Sequence, residues 1–208
     1  MPKTRAQNQE IKDERRANIL NVALRLFSVN GYDAVTINDI TTKANCSHGL
    51  FYHYFPSKAE IFKAIIEQSK QSSLKMPHFE EGNSLTTRQK LEMITKHTFD
   101  VMRQDGDGPY YMSLFFNLRF QKTLPPPPKK KDDVNQRYKD PFTALCHLIE
   151  EGQRLGEFEP GPASDYALIY FAMIKGLVDH RLNMSPNRFK TPDMDVVMNL
   201  FSRKDNRL

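Results

Sequence analysis

Long apolar runs are missing from this 208-residue chain. No stretch approaches the roughly 18 consecutive apolar residues of a membrane helix, so a bilayer-spanning protein is not expected. Met1 to Arg16 is polar and charged, which argues against a secretory signal and for a cytoplasmic protein. Cysteine is scarce. Cys46 and Cys146 lie far apart, with no CxxC or Cys/His cluster, so two reduced thiols are expected rather than a disulfide or a zinc site. The alternation of Val, Ile and Thr that marks strands is absent, and nothing reads as a hairpin. No GxSxG, HExxH, Walker loop or dinucleotide fingerprint occurs. Cys146 beside His147 is not a nucleophile–base pair, because neighbours on a helix point apart. Catalysis and a bound cofactor are therefore not expected.

Charge of one sign does not dominate either, but its placement is uneven. Residues 1–75 hold 11 Lys/Arg against 7 Asp/Glu, and the remainder hold 19 against 18. Nearly all of the basic excess thus sits in the first third, where a polyanion would be met. With 39% hydrophobic residues the chain can build a packed core, which excludes wholesale disorder.

What the chain does have is one helical pattern after another. Leu20, Ala23, Leu24 and Phe27 line one face of a first helix at about 12–29, and Asn30-Gly31 supplies its stop. Thr36-Ile37-Asn38-Asp39 is a capping box opening a helix of barely two turns, with Ile37, Ile40 and Ala44 on one face. Asn45-Cys46 breaks it, since Asn tolerates the left-handed conformation. Ser47 caps a second short helix to about Tyr54, which Phe55-Pro56 ends. Ser57-Lys58-Ala59-Glu60 opens a longer helix to about Lys75. Further helical patterns run at about 84–104, 108–122, 135–155, 162–182 and 192–203. Four consecutive prolines and Lys129-Lys130-Lys131 mark residues 124–133 as a solvated connection.

Two short helices joined by a tight turn in a basic segment fit a helix-turn-helix over roughly Thr36 to Phe55, whose second helix enters the major groove. Gly49 carries no side chain, so the backbone can approach DNA closely. Ser47 and His48 can donate to base edges or phosphate, and Tyr52 and Tyr54 offer hydroxyls and rings. Thr36 and Lys58 open flanking helices, where free N–H groups and the dipole favour a phosphate and Lys58 adds its charge. Phe51 and Phe55, four apart, face inward. His48 and His53 fit a solvated side chain as well as a DNA contact.

The run Ile19 to Tyr32, then Thr36-Ile-Asn-Asp-Ile40, Ala44 and Ser47-His-Gly-Leu-Phe-Tyr-His-Tyr-Phe-Pro-Ser-Lys58, resembles the DNA-binding domain of the tetracycline-repressor (TetR) family over about residues 12–72. The glycine, the threonine, Gly49-x-x-Tyr52 and Phe55-x-Ser57-Lys58 fall in order at the family's spacing. The resemblance implies an all-α chain: an N-terminal three-helix helix-turn-helix domain at 12–72 and a larger helical effector-binding and dimerisation domain at 76–208. It implies a homodimer formed through about 162–182 and 192–203, a palindromic DNA site, and a repressor released by a small molecule. Carried over by position, the DNA contacts are Thr36, Ser47, His48, Gly49, Tyr52, Tyr54 and Lys58.

For the implied effector site the sequence offers composition without a motif. Phe99, Met102, Tyr111, Phe115, Phe116, Phe142, Cys146 and Phe171 supply apolar and aromatic side chains suited to a largely apolar or aromatic ligand. Ordinary core and dimer interface would use the same residues. His97, His147 and His180 lie on three different predicted helices without ligand spacing, so no metal is expected.

Overall fold

The computed structural model describes residues 5–71, 82–120 and 141–202, together with Pro77 and Phe79. Among them the chain forms nine α-helices and no strand, the nearest to one being a single bridge between Phe158 and Ser202. The helices are α1 (Arg5–Asn30), α2 (Ile37–Lys43), α3 (His48–Tyr54), α4 (Lys58–Gln71), α5 (Thr87–Arg103), α6 (Gly108–Phe120), α7 (Pro141–Arg154), α8 (Ala163–Asn183) and α9 (Met194–Met198). Among the described residues no helix is long and apolar enough to cross a membrane. The Pro/Lys-rich segment 124–133 lies outside the described residues.

The chain divides into two compact units. The first comprises Met1–Lys75 and Gly106–Thr123, so α6 groups with α1–α4. Its core is Ile19, Leu20, Leu24 and Phe27 of α1 against Ile40, Phe51, Ile61 and Ile65, with Tyr111 and Leu114 of α6 closing one side. The α1–α6 seam is also polar. Ser113 Oγ and Asn117 Nδ2 donate to the Ser28 carbonyl at 3.0 and 2.9 Å, and Arg25 pairs with Asp107 at 3.0 Å.

Helix α1 starts well before the apolar pattern does. Ile19 is its first fully buried residue, and apart from half-buried Ile11 its described earlier side chains are exposed. Periodicity records only a buried face, so it misses this extension. Good helix formers carry it, with Gln9 Nε2 donating to Asp13 at 3.1 Å one turn on. Gly31 then ends the helix at φ 82°, a left-handed position that suits glycine.

The second unit comprises Met76–Asp105 and Leu124–Leu208, with α5, α7, α8 and α9 packed together. Thr86 and Gln89 form a capping box that the pattern reading overlooked, and it sets the start of α5 at 87 rather than 84. After α7 the chain turns sharply at Gly156 (φ 75°) and buries Phe158 against Gly152. The Glu157 carboxylate then accepts bonds from the Thr87 hydroxyl and from the Arg88 amide (3.0 Å), serving the free N-terminus of α5. At the other end of α5, buried Arg181 of α8 donates Nε to the Met102 carbonyl at 2.8 Å. Leu168 and Ile169 of α8 are 52% and 54% exposed, and Val196 and Leu200 at α9 are exposed as well.

Candidate nucleic-acid interface

Helices of two turns are marginal alone, so α2 and α3 exist because the first unit's core holds them. Ile40 and Phe51 are completely buried, and each such side chain is worth about 1.5–3 kcal/mol. The turn between the helices is fixed by three features. Asn45 adopts φ 51°, the Cys46 amide donates to the Thr41 carbonyl at 3.0 Å, and Asn18 Nδ2 of α1 donates to the Ala44 carbonyl at 3.1 Å. Cys46 is half-buried with a free thiol, and burial pushes that thiol up from its ordinary pKa.

The expected DNA contacts divide by what they already touch. Ser47 is exposed and caps α3, its Oγ accepting from the Leu50 amide at 3.1 Å, which leaves its hydroxyl proton free to donate outward. His48, Gly49 and His53 are exposed, and Tyr52 is 52% exposed, edge-on to buried Phe51. A Cβ added at Gly49 would meet only Ser47 Oγ, at 3.9 Å, so nothing inside the protein requires a glycine there. Tyr54 is half-buried against the core, its ring 5.0 Å from that of His53. The ring is thus shared between core and surface.

Thr36 and Lys58 depart from the simple picture of phosphate clamps. The Thr36 hydroxyl accepts from the Asp39 amide at 3.1 Å and donates to the Asp39 carboxylate at 2.7 Å, and the Thr36 amide adds a bond at 2.8 Å. These two donors hold the Asp39 carboxyl below its usual range, the hydroxyl first. The Lys58 ammonium is turned inward. It donates to the carbonyls of Tyr32 and Val35 at 2.9 Å each, stands 3.5 Å from that of Asp33, and lies 4.3 Å from the Tyr32 ring centre. Its three donors face the loop between α1 and α2. Those partners are 23 to 26 positions away in sequence, so no local spacing announces the arrangement.

Sequence reasoning passed over one exposed side chain of this surface. Asn38, in the first turn of α2, has its Oδ1 3.3 Å from Nε2 of His48 in α3.

The residues named for an effector site fall in both units. In the second, Phe99 and Met102 are fully buried, Phe142 and Phe171 meet as tilted rings with centres 5.7 Å apart, and Cys146 is half-buried. In the first, Tyr111 and Phe116 are buried and Phe115 is exposed. Two buried polar atoms have no hydrogen-bond partner among the described residues: the Tyr111 hydroxyl and His97 Nε2. Burial, with Asp107 adding its charge, pushes the Tyr111 hydroxyl up to about 12. His147 is exposed and faces Glu150, while His180 packs beside Phe189. Among the described residues no group of three His, Cys, Asp or Glu side chains is placed to hold a metal ion.

Known proteins agree with this geometry. Residues 19–65 match the family model for bacterial regulatory proteins of the tetR family. The chain is 26% identical over 178 residues to the uncharacterized HTH-type transcriptional regulator YfiR of Bacillus subtilis, covering 84% of this chain and 83% of that one. It is 27% identical over 113 residues to the HTH-type transcriptional activator FasR of Mycolicibacterium smegmatis, covering 54% and 51% respectively. A crystal structure of a HlyIIR mutant protein superposes with a TM-score of 0.64 at 15% identity, over 93% of this chain and all of that one. With α2 and α3 seated as a helix-turn-helix, residues 19–65 form the DNA-binding module of bacterial regulatory proteins of the tetR family.

Proposed function

We propose that the protein is a homodimeric repressor that places α3 in the major groove of a palindromic operator and is released by a small, largely apolar or aromatic molecule. The observation that carries the reading is the outward face of α3. Ser47 at the N-cap and His48, Gly49 and Tyr52 on the helix stand exposed, α3 is anchored by fully buried Phe51, and the glycine answers to no internal neighbour. Side chains on an element this firmly seated are aimed before DNA arrives, which lowers the ordering cost of binding. Ser47 and Tyr52 contact phosphate or base edges, His48 reads a base, Gly49 admits the backbone, and the Tyr54 hydroxyl reaches the groove wall. Thr36 and Lys58 mark the starts of the flanking helices, and Lys58 acts by fixing the loop ahead of α2.

Dimerisation through this part of the chain is supported by exposed apolar side chains: Leu168 and Ile169 of α8, Val196 of α9, and Leu200 just past it. A two-fold pair of readers suits half-sites one helical turn apart, about 34 Å. Effector release needs a molecule with unequal affinity for the DNA-bound and free states. The buried aromatic residues supply its apolar surface. Within the second unit, His97 Nε2 has no hydrogen-bond partner among the described residues, and a polar atom of a ligand would satisfy it.

The test is a gel shift with DNA from the protein's own promoter. A specific shift is expected, and Tyr52→Ala should abolish it while leaving the unfolding free energy within about 0.5 kcal/mol of wild type, because the side chain is half-exposed. No specific shift at any salt that suppresses non-specific binding would overturn the reading. A reporter driven by that promoter distinguishes repression from activation.

A further inference from the structure

We infer that Asn38 of α2 is a base-reading residue that acts as one unit with His48 of α3. The inference rests on the operator-binding reading above and names a second helix as part of the reader. Two observations support it. The two side chains are exposed, yet Nε2 of His48 lies 3.3 Å from Oδ1 of Asn38, across the turn that joins their helices. A hydrogen bond between exposed polar groups adds little to folding, because water offers both partners equivalent bonds. Its effect is on orientation: each side chain limits the rotamers of the other, and both sit on helices pinned by Ile40, Thr41 and Phe51.

The pair also leaves the right atoms free. One imidazole nitrogen and the amide oxygen are used between the two residues. The Asn38 amide nitrogen, with two N–H donors, and Nδ1 of His48 remain for a base edge. Amide side chains are well matched to major-groove edges, where each base pair shows its own set of donors and acceptors. The neighbouring acid does not compete, since the Asp39 carboxylate is engaged by the Thr36 hydroxyl and amide. A residue merely filling the surface of α2 would need neither the partner nor the exposure.

The experiment is selection of binding sites from a randomised duplex library by the full-length protein and by Asn38→Ala, His48→Ala, Asn38→Gln and the double Asn38→Ala/His48→Ala variant. Wild type should enrich a palindrome. Asn38→Ala should flatten the preference at one base pair in each half-site, from roughly tenfold or more to about twofold, with the other positions retained. His48→Ala should flatten the same base pair, and the double variant should lose no more than the stronger single, as expected for two groups acting together. Asn38→Gln should change the preferred base there, because the longer amide reaches a different atom. A wild-type profile retained by Asn38→Ala would overturn the inference, as would an equal loss of affinity for all sequences, which marks a phosphate contact. If wild type enriches no sequence at all, the operator-binding reading itself fails, a result distinct from either.

Discussion

Lys58 illustrates how one side chain can serve a DNA-binding surface from behind. Its ammonium meets the carbonyls of Tyr32 and Val35 and lies against the Tyr32 ring, so the loop leading into α2 is tied to the start of α4. Lys58→Ala should cost roughly 1.5–3 kcal/mol of stability, the usual range for hydrogen bonds to a charged donor. Amide exchange should quicken in the segment 32–36. Because the charge is spent on the loop, the dependence of DNA affinity on salt should keep the wild-type slope. A slope reduced by about one unit would instead place Lys58 on a phosphate. The capping box at Thr36, the left-handed Asn45 and the inward Phe51 were all readable from local sequence, since each is a rule about neighbours along the chain. Lys58 and the Asn38–His48 bond were not, because their partners meet only after the helices have packed.

At the scale of elements, the junction between α7 and α5 concentrates several constraints. A Cβ on Gly152 would stand 2.2 Å from the Phe158 ring and 2.8 Å from the Thr87 hydroxyl, and the ring is itself fully buried. Gly152→Ala must therefore displace the turn, and a loss of about 3 kcal/mol or more is expected in denaturant unfolding. The same junction is sensitive to acid. Burial by itself would raise the Glu157 carboxyl, but the Thr87 hydroxyl and the Arg88 amide outweigh it, and the group lies below its ordinary value of 4.5. A carboxyl depressed in the folded state contributes stability above its unfolded pKa and loses it as the pH falls through the folded value. Stability should thus drop on the acid side of about pH 4.5 in wild type. Glu157→Gln should be less stable at neutral pH and show a shallower fall there, as read by thermal unfolding across pH. If the two slopes coincide, Glu157 is not the group responsible.

At the scale of the whole molecule, the exposed apolar residues of α8 and α9 argue that the working form is not one chain. Leu168→Glu combined with Ile169→Glu should convert the protein to a monomer in sedimentation velocity, because each carboxylate would lose hydration in the interface. The variant should keep its helical circular dichroism, since both positions face outward in the single chain. Its affinity for a palindromic site should fall steeply, as two linked readers gain from effective concentration and single readers do not. An unchanged dimer would move the interface elsewhere. The grouping of α6 with α1–α4 belongs to this scale too. Chain order places α6 among the later helices, whereas the bonds of Ser113 and Asn117 to Ser28 place it on α1.

Sequence by itself determined the all-helical class, the succession of elements and the helix-turn-helix to the residue. Periodicity, caps and breakers act over four or five neighbours and can be read one turn at a time. It also placed Tyr52 and Gly49 on the outer face of α3, because helical spacing sets which residues share a side with Phe51 and which oppose it. Tertiary structure alone decided where α6 packs, which buried polar atoms lack partners among the described residues, that Lys58 faces the loop, and that Asn38 meets His48. Each of these depends on groups distant in sequence brought together when apolar faces bury one another, and burial carries no local code for who the neighbour will be.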